Sequence, residues 1–168
     1  MEKSENTLRI LANLSLSDRI ARGNYDGVNC NVENEEFFST YVPADYSGEY
    51  KLFHFDRRNI RYKEAIIGEI RREGFKPGNL AELLAFGEVY PKEQLKYPII
   101  AFGSILRFAN DFSDVPMLCS RAAERGLTLR SCEIGWEPYH RFLGFRRYSL
   151  SIFPSWRMAD WFRRFFTS

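Results

Sequence analysis

The side chains of this 168-residue sequence that could do chemistry are few: three cysteines (Cys30, Cys119, Cys132), two histidines (His54, His140), Ser104 beside a glycine, and the acidic pair Asp111 and Asp114. The cysteines are far apart, odd in number and form no CxxC pair, and the histidines do not complete them, which argues against a closed zinc site. They read as reduced thiols of a cytosolic product. A Cys119–Cys132 bridge between neighbouring strands is left open by spacing alone. Phe102-Gly103-Ser104-Ile105 lacks the second glycine of a nucleophile elbow, and Ser104 has no local histidine to take its proton. Asp111 and Asp114 read as a solvated turn. His54, inside an apolar strand pattern, reads as a half-buried side chain rather than a base. No phosphate-binding glycine loop, dinucleotide fingerprint, HExxH helix or calcium loop is present. The expectation is a protein that is not an enzyme, with no catalytic residue, metal or cofactor.

Composition bounds what must position these groups. The length suits one domain able to bury a core without staples. A net charge of +2 carries no global signature of nucleic-acid or membrane binding, and 45% apolar residues exclude a disordered chain. Mean hydropathy is −0.38 and no run nears a membrane span, so no transmembrane segment is expected. The polar start does not read as a signal peptide, so the expected site of synthesis is the cytoplasm. The unusual figure is 16% aromatic residues, with 15 phenylalanines. Charge is also uneven: 24–50 holds six acidic residues and no Lys or Arg, whereas 141–168 holds six arginines against Asp160. Opposed blocks in one chain are expected to pair with each other.

Periodicity orders the elements. Leu8, Ile10, Leu11, Leu14, Leu16 and Ile20 predict a short leading helix or arm over 7–22, with Ser17 as an internal cap, and 36–42 reads as a short strand in a polar loop. Alternation over 49–56 predicts a strand. Asn59 caps a predicted helix over 60–73 with Tyr62, Ala65, Ile66 and Ile70 buried, and Gly74 stops it in a left-handed conformation. Asn79 and Glu82 form a capping box over a second helix, 80–89, whose inner face is Leu80, Leu83, Leu84 and Gly87. Residues 97–108 read as strand plus bend. Strands at 115–120 and 127–134 flank a connection in which Gly126 supplies positive φ, and 139–147 closes the series. The fold class is α+β, with two helices on a small twisted antiparallel sheet and a strand-rich C-terminal half. The chain divides into an arm and loop (1–48), a domain (49–147) and an aromatic, basic tail (148–168).

Three collinear blocks carry a family resemblance. Glu73-Gly74-Phe75-Lys76-Pro77-Gly78-Asn79-Leu80-Ala81-Glu82-Leu83-Leu84-Ala85-Phe86-Gly87 resembles a recurrent segment of C-type-lectin-like domains. That segment is shared by formylglycine-generating-enzyme-like proteins and by the variable proteins of diversity-generating retroelements. Tyr97-Pro98-Ile99-Ile100-Ala101-Phe102-Gly103-Ser104 and Arg141-Phe142-Leu143-Gly144-Phe145-Arg146-Arg147 resemble two further stretches of the variable proteins of bacteria, archaea and their viruses. The resemblance implies a C-type-lectin-like fold in which Val115, Pro116, Leu118, Leu127, Leu129, Trp136, Phe142 and Leu143 are scaffold. The diversified, ligand-binding face would hold Arg107, Cys119, Ser120, Arg121, Ala123, Thr128, Arg130, Cys132, Glu133, Gly135, Glu137, Tyr139 and His140.

Two departures matter. Calcium-dependent lectins use Glu-Pro-Asn, and Glu137-Pro138-Tyr139 puts a phenol where the amide oxygen would coordinate, so calcium-mediated sugar binding is not expected. Cys119 and Cys132 do not match the reactive pair of the formylglycine-generating enzymes. The expected function is display: a variable protein binding a macromolecule, foremost a protein, through 107–140 with Tyr139 and Arg130 as anchors. One alternative is a small formylglycine-generating-type enzyme using Cys119 or Cys132. Another is a basic accessory protein binding nucleic acid, which the net charge disfavours. The tail, with aromatics interleaved with Arg157, Arg163 and Arg164, is expected to dock on the core or on a neighbouring copy as a homo-oligomer contact; a membrane surface and RNA are its other candidate targets.

Overall fold

Capping and alternation define most of the elements, and the computed structural model, which describes residues 6–34, 38–56 and 62–148, gathers them around one sheet. The helices are α1 (Leu16–Gly23), α2 (Lys63–Arg72), α3 (Leu80–Val89) and the single turn α4 (Glu93–Lys96). The strands are β1 (Thr7–Ile10), β2 (Gly27–Val28), β3 (Tyr46–Phe53), β4 (Lys76–Pro77), β5 (Ile99–Ile100), β6 (Leu106–Arg107), β7 (Ser113–Arg121), β8 (Glu124–Ser131) and β9 (Arg141–Arg147). Among the described residues the sheet runs β1-β3-β9-β5-β7-β8-β2, with β4 on β9 and β6 on β7. The class is α+β, but the sheet is mixed rather than antiparallel. The last strand, β9, is inserted between β3 and β5, so it runs antiparallel to one and parallel to the other; β2 and β8 are also parallel.

Several expectations are corrected. Residues 7–22 form strand β1, registered on β3 from Thr7↔Glu49 to Ile10↔Tyr46, and then α1, capped by Ser15 with Asp18 in a capping box rather than by Ser17. Leu8, Ile10, Leu16 and Ile20 are buried in the main core, so this stretch is part of the fold rather than an arm. Residues 38–42 form no strand, and the rest of the strand expected at 36–42 lies outside the described residues together with Asn59. Helix α2 is shorter than expected: Ile66 and Ile70 are buried, but Tyr62 and Ala65 face solvent because the helix packs by a narrow edge. Asn79 and Glu82 make both hydrogen bonds of their box, and Gly74 has φ +82° after α2.

The sheet has a core on each face. On one, α1 and α3 cover Leu8, Ile10, Leu118, Leu127 and Phe145. On the other, Ile66 and Ile70 of α2 meet Phe53, Phe75, Ile100, Phe102, Val115, Trp136 and Phe142. The aromatic excess is concentrated there: Phe102 stacks on Phe142 with centroids 5.4 Å apart, and Trp136 stands edge-on to both at 5.1 and 5.6 Å. Such contacts add roughly 1 kcal/mol each beyond burial.

The three segments singled out in the sequence interlock. Lys76 and Pro77 pair with Phe145 and Gly144, and the Gly78 amide donates to the Leu143 carbonyl at 2.7 Å. The Gly103 amide donates to the Gly78 carbonyl at 2.8 Å, so close that a Cβ on Gly103 would lie 2.5 Å from the Pro77 carbonyl. Ser104 Oγ accepts from the Leu80 amide at 2.9 Å, so its hydroxyl satisfies a donor at the start of α3. At the β1 edge, Tyr148 donates its amide to the Ser47 carbonyl and its hydroxyl meets Thr7 Oγ1 at 2.9 Å, so residues 7 and 148 leave the fold side by side.

The β7–β8 turn corrects one more expectation. Gly126 lies inside β8, and the positive φ falls on Ala122 (51°) and Ala123 (68°), a two-residue turn of the kind Asn-Gly ordinarily fills. Each left-handed alanine costs about 1 kcal/mol, partly offset in glycine by its greater freedom when unfolded. The double change Ala122→Asn, Ala123→Gly should stabilise the protein by about 1 kcal/mol, read as a higher urea midpoint at unchanged slope; a lower midpoint would contradict the turn geometry.

Candidate ligand-binding surface

The expected binding residues ride mainly on the β7–β8 hairpin and the 132–140 loop that follows it. Register puts Cys119 opposite Gly126, Met117 opposite Thr128 and Val115 opposite Arg130, so Cys119, Thr128 and Arg130 share one face; Leu118, Leu127 and Leu129 pack on the other. The alternation in 127–132 is therefore real. Ser120 pairs with Arg125 on the packed-face parity, beyond the edge of the core, and remains exposed like Arg121 and Ala123 at the hairpin tip. The set is not one patch, because Ser120 is about 20 Å along the strand from Asp114, which pairs with Ser131 between Arg130 and Cys132.

The hairpin's base is the richer end. The Cys132 amide donates to the Ser113 carbonyl at 2.7 Å, which brings the 107–112 turn beside the 132–140 loop. Phe108, Phe112, Ile134 and Tyr139 are 40, 52, 58 and 57% exposed there, alongside exposed Arg107, Glu133, Gly135 and Glu137. Phe108, Phe112 and Ile134 escaped sequence reasoning; exposure of an apolar residue at a turn leaves no periodic signal. Lys63 Nζ donates to the buried Ser113 hydroxyl at 3.1 Å, and that hydroxyl meets Glu133 Oε1 at 3.3 Å, tying α2 to the loop. Burial, and then Glu133, raises the Asp114 carboxyl.

Two of the expected display residues are structural. Arg130 lies over the Trp136 ring at 5.3 Å and donates from Nη2 to the Gly135 carbonyl at 2.9 Å, closing the loop on itself. Arg130 Nε and Trp136 Nε1 are both buried there with no hydrogen-bond partner among the described residues. His140 is corrected outright: only 2% exposed, it is scaffold. Its Nδ1 accepts from the Glu137 amide at 2.8 Å, which assigns the ring proton to Nε2, and the ring stands edge-on to Trp136. Burial, followed by the Arg130 charge, pushes its pKa down to about 4.

What aims the hairpin is Arg125. Its Nη1 donates to the Gly23 carbonyl at 2.6 Å and its Nη2 to the Gly87 carbonyl at 2.8 Å and Gln94 Oε1 at 2.9 Å, while the guanidinium covers Tyr25 at 5.0 Å. Gln94, 1% exposed, donates in turn to the Cys119 and Gly126 carbonyls. Asp26 accepts the Arg125 amide at 2.6 Å. Part of the acidic 24–50 block is thus consumed internally; Asp45 pairs with Arg9, and Glu49 with Arg146. The basic tail beyond 148 lies outside the described residues.

The thiols are ordinary. All three cysteines are free, and Cys119 and Cys132 sit at opposite ends of the hairpin, which excludes the bridge left open above. Burial pushes both of these thiols up, away from the reactive thiolate. Among the described residues no cluster of His, Cys, Asp and Glu could hold a metal, and no helix is long and apolar enough to cross a membrane.

No family model, curated protein or solved structure matches the chain.

Two outcomes follow from these contacts. Arg125→Met leaves the Gly23 and Gly87 carbonyls and Gln94 without a donor and should destabilise by about 3 kcal/mol; Arg125→Lys should recover less than half, because one ammonium cannot span both helices. Equal stability of the three proteins in urea would refute the clamp. His140 is neutral in the fold, while the unfolded chain takes up its proton near 6.5. Stability should therefore be full above about pH 7 and fall by about 2–3 kcal/mol on acidification to pH 4; His140→Asn should flatten that part of the profile.

Proposed function

We propose that this protein is a ligand-display scaffold, a C-type-lectin-like variable protein of a diversity-generating retroelement, without catalytic activity, that binds a macromolecule through the base of its β7–β8 hairpin. The observation that carries this reading is the set of exposed apolar and charged side chains on turns and loops fixed from beneath. Phe112, Ile134, Tyr139, Arg107 and Glu133 project from loops pinned by the hydrogen bond from the Cys132 amide to the Ser113 carbonyl, the Lys63–Ser113 contact and the Trp136 stack. Surface apolar residues gathered at one rim mark interaction sites, and Tyr and Arg are the side chains that anchor protein interfaces. The family reading is supported by the interlock of 74–87, 97–104 and 141–147, since the segments that carry the resemblance also form the joint beneath the site.

Two residues change roles within this reading. His140 and Arg130 hold the loop, Cys119, Ser120, Arg121, Ala123 and Thr128 lie along the hairpin toward its tip and Cys132 packs against the core, so the displayed set contracts to Arg107, Glu133, Gly135, Glu137 and Tyr139, with Phe108, Phe112 and Ile134 added. The raised thiols of Cys119 and Cys132 favour display over a formylglycine-generating-type enzyme.

Displayed residues should be dispensable for folding. Replacing Phe112, Glu133, Ile134 and Tyr139 together by alanine should lower Tm by less than about 6 °C, since surface changes cost within about 0.5 kcal/mol each. Trp136→Ala alone should cost about 3 kcal/mol or more. A collapse of the quadruple variant would refute display. Diversification is tested by sequencing the locus: a reverse transcriptase gene and a near-copy repeat, mismatched at adenines within the codons for 107–140, is the expected finding, and a locus lacking both removes the retroelement assignment.

A further inference from the structure

Away from the base of the hairpin, at the corner of β1, α1 and α3, lies an arginine with no ion-pair partner among the described residues. Arg19 is 4% exposed, yet among the described residues it makes no ion pair, and the one hydrogen bond of its side chain runs from Nη2 to the Leu11 carbonyl at 2.7 Å. Its Nε is buried without a partner. The neighbouring carboxylates are all engaged elsewhere: Asp18 in the α1 capping box, Asp45 with Arg9 and the Ala12 amide, and Glu88 in a two-pronged pair with Arg22. A buried cation lacking a counter-charge is costly, and native folds that keep one usually give it an anion.

Arg19 lines a cleft of about 190 Å³. The rest of the wall is mostly apolar, from Leu14, Leu84, Ala85 and Val89, while Arg9 and Arg22 stand at it as further cations against the one acid, Glu88. The space equals that of about six water molecules, too small for a nucleotide and suited to a molecule of the size of a short fatty acid. A guanidinium matches a carboxylate in planar geometry.

The geometry points to a binding site for a small free carboxylate with an apolar body, its carboxylate drawn to the Arg19 guanidinium at the cleft wall and its chain along Leu14, Leu84 and Val89. This site is independent of the hairpin surface and stands or falls separately from it.

The test titrates sodium hexanoate, acetate, N-acetyl-leucine and hexylammonium into the intact protein, following Tm and the arginine Nε–H resonances. Hexanoate should shift one Nε–H resonance saturably and raise Tm. Acetate, lacking four methylenes, should bind at least about tenfold more weakly, and hexylammonium should do nothing. Arg19→Lys keeps the charge but removes Nε; it should lose the shifted resonance and weaken hexanoate about tenfold. Arg19→Met, if folded, should abolish the response; the wild-type titration decides the matter if it is not. Absence of a saturable response in the wild type, or a response unchanged in Arg19→Lys, overturns the site. Equal binding of acetate overturns the apolar body. Tighter binding of N-acetyl-leucine than of hexanoate would make the ligand a peptide C-terminus and overturn the free-acid assignment.

Discussion

One guanidinium facing two helix ends holds this architecture in register. Helix α1 stops at Gly23 and α3 turns its last carbonyls out from Gly87 onward, and no basic residue stands in the last turn of α3 to meet them. Arg125, about one hundred residues beyond α1, fills both deficits from strand β8. Because the two carbonyl-bearing ends point at the same charge, α1 and α3 are fixed relative to each other and to the hairpin at once. Gln94 extends the clamp by bonding the hairpin carbonyls, so the single turn α4 acts as a wedge between helix and strand. The hairpin therefore stands on a fixed base while both its rim and its tip remain uncovered.

The second constraint is the crowding of backbone around Gly78 and Gly103. There the run into α3, the bend after β5 and strand β9 approach closely enough to exchange amide hydrogen bonds. This joint carries the aromatic wall of Phe102, Trp136 and Phe142, and the wall carries the loop that presents Tyr139. Apart from the Glu133 contact with Ser113, the supports beneath the rim do not depend on the rim side chains.

What could be read from the sequence was whatever is local. The capping box at Asn79 and Glu82, the stop at Gly74 and the alternation through 127–132 depend on neighbours a few residues apart, and each is as expected. The strand at 7–10 was hidden because four residues of Thr-Leu-Arg-Ile merge into the apolar spacing of the helix that follows. His140 was misplaced because its burial follows from Trp136 and the Glu137 amide, a loop geometry that has no period. Arg125 went unremarked for a similar reason: an arginine beside a hairpin glycine looks like any solvated charge until Gly23 and Gly87 are brought to it. The left-handed pair at Ala122 and Ala123 opposes local preference altogether, and only the ladder on either side enforces it.

The contact between Tyr148 and Thr7 has a consequence for how the molecule can be mounted. Both ends of the described chain depart from the β1 edge of the sheet, and five inter-strand spacings, about 24 Å, separate that edge from β8. Residues 7 and 148 therefore both lie on the side of the sheet opposite the hairpin. The described fold thus holds its two chain exits together at one edge and its long hairpin near the other, as a brush head stands off its handle.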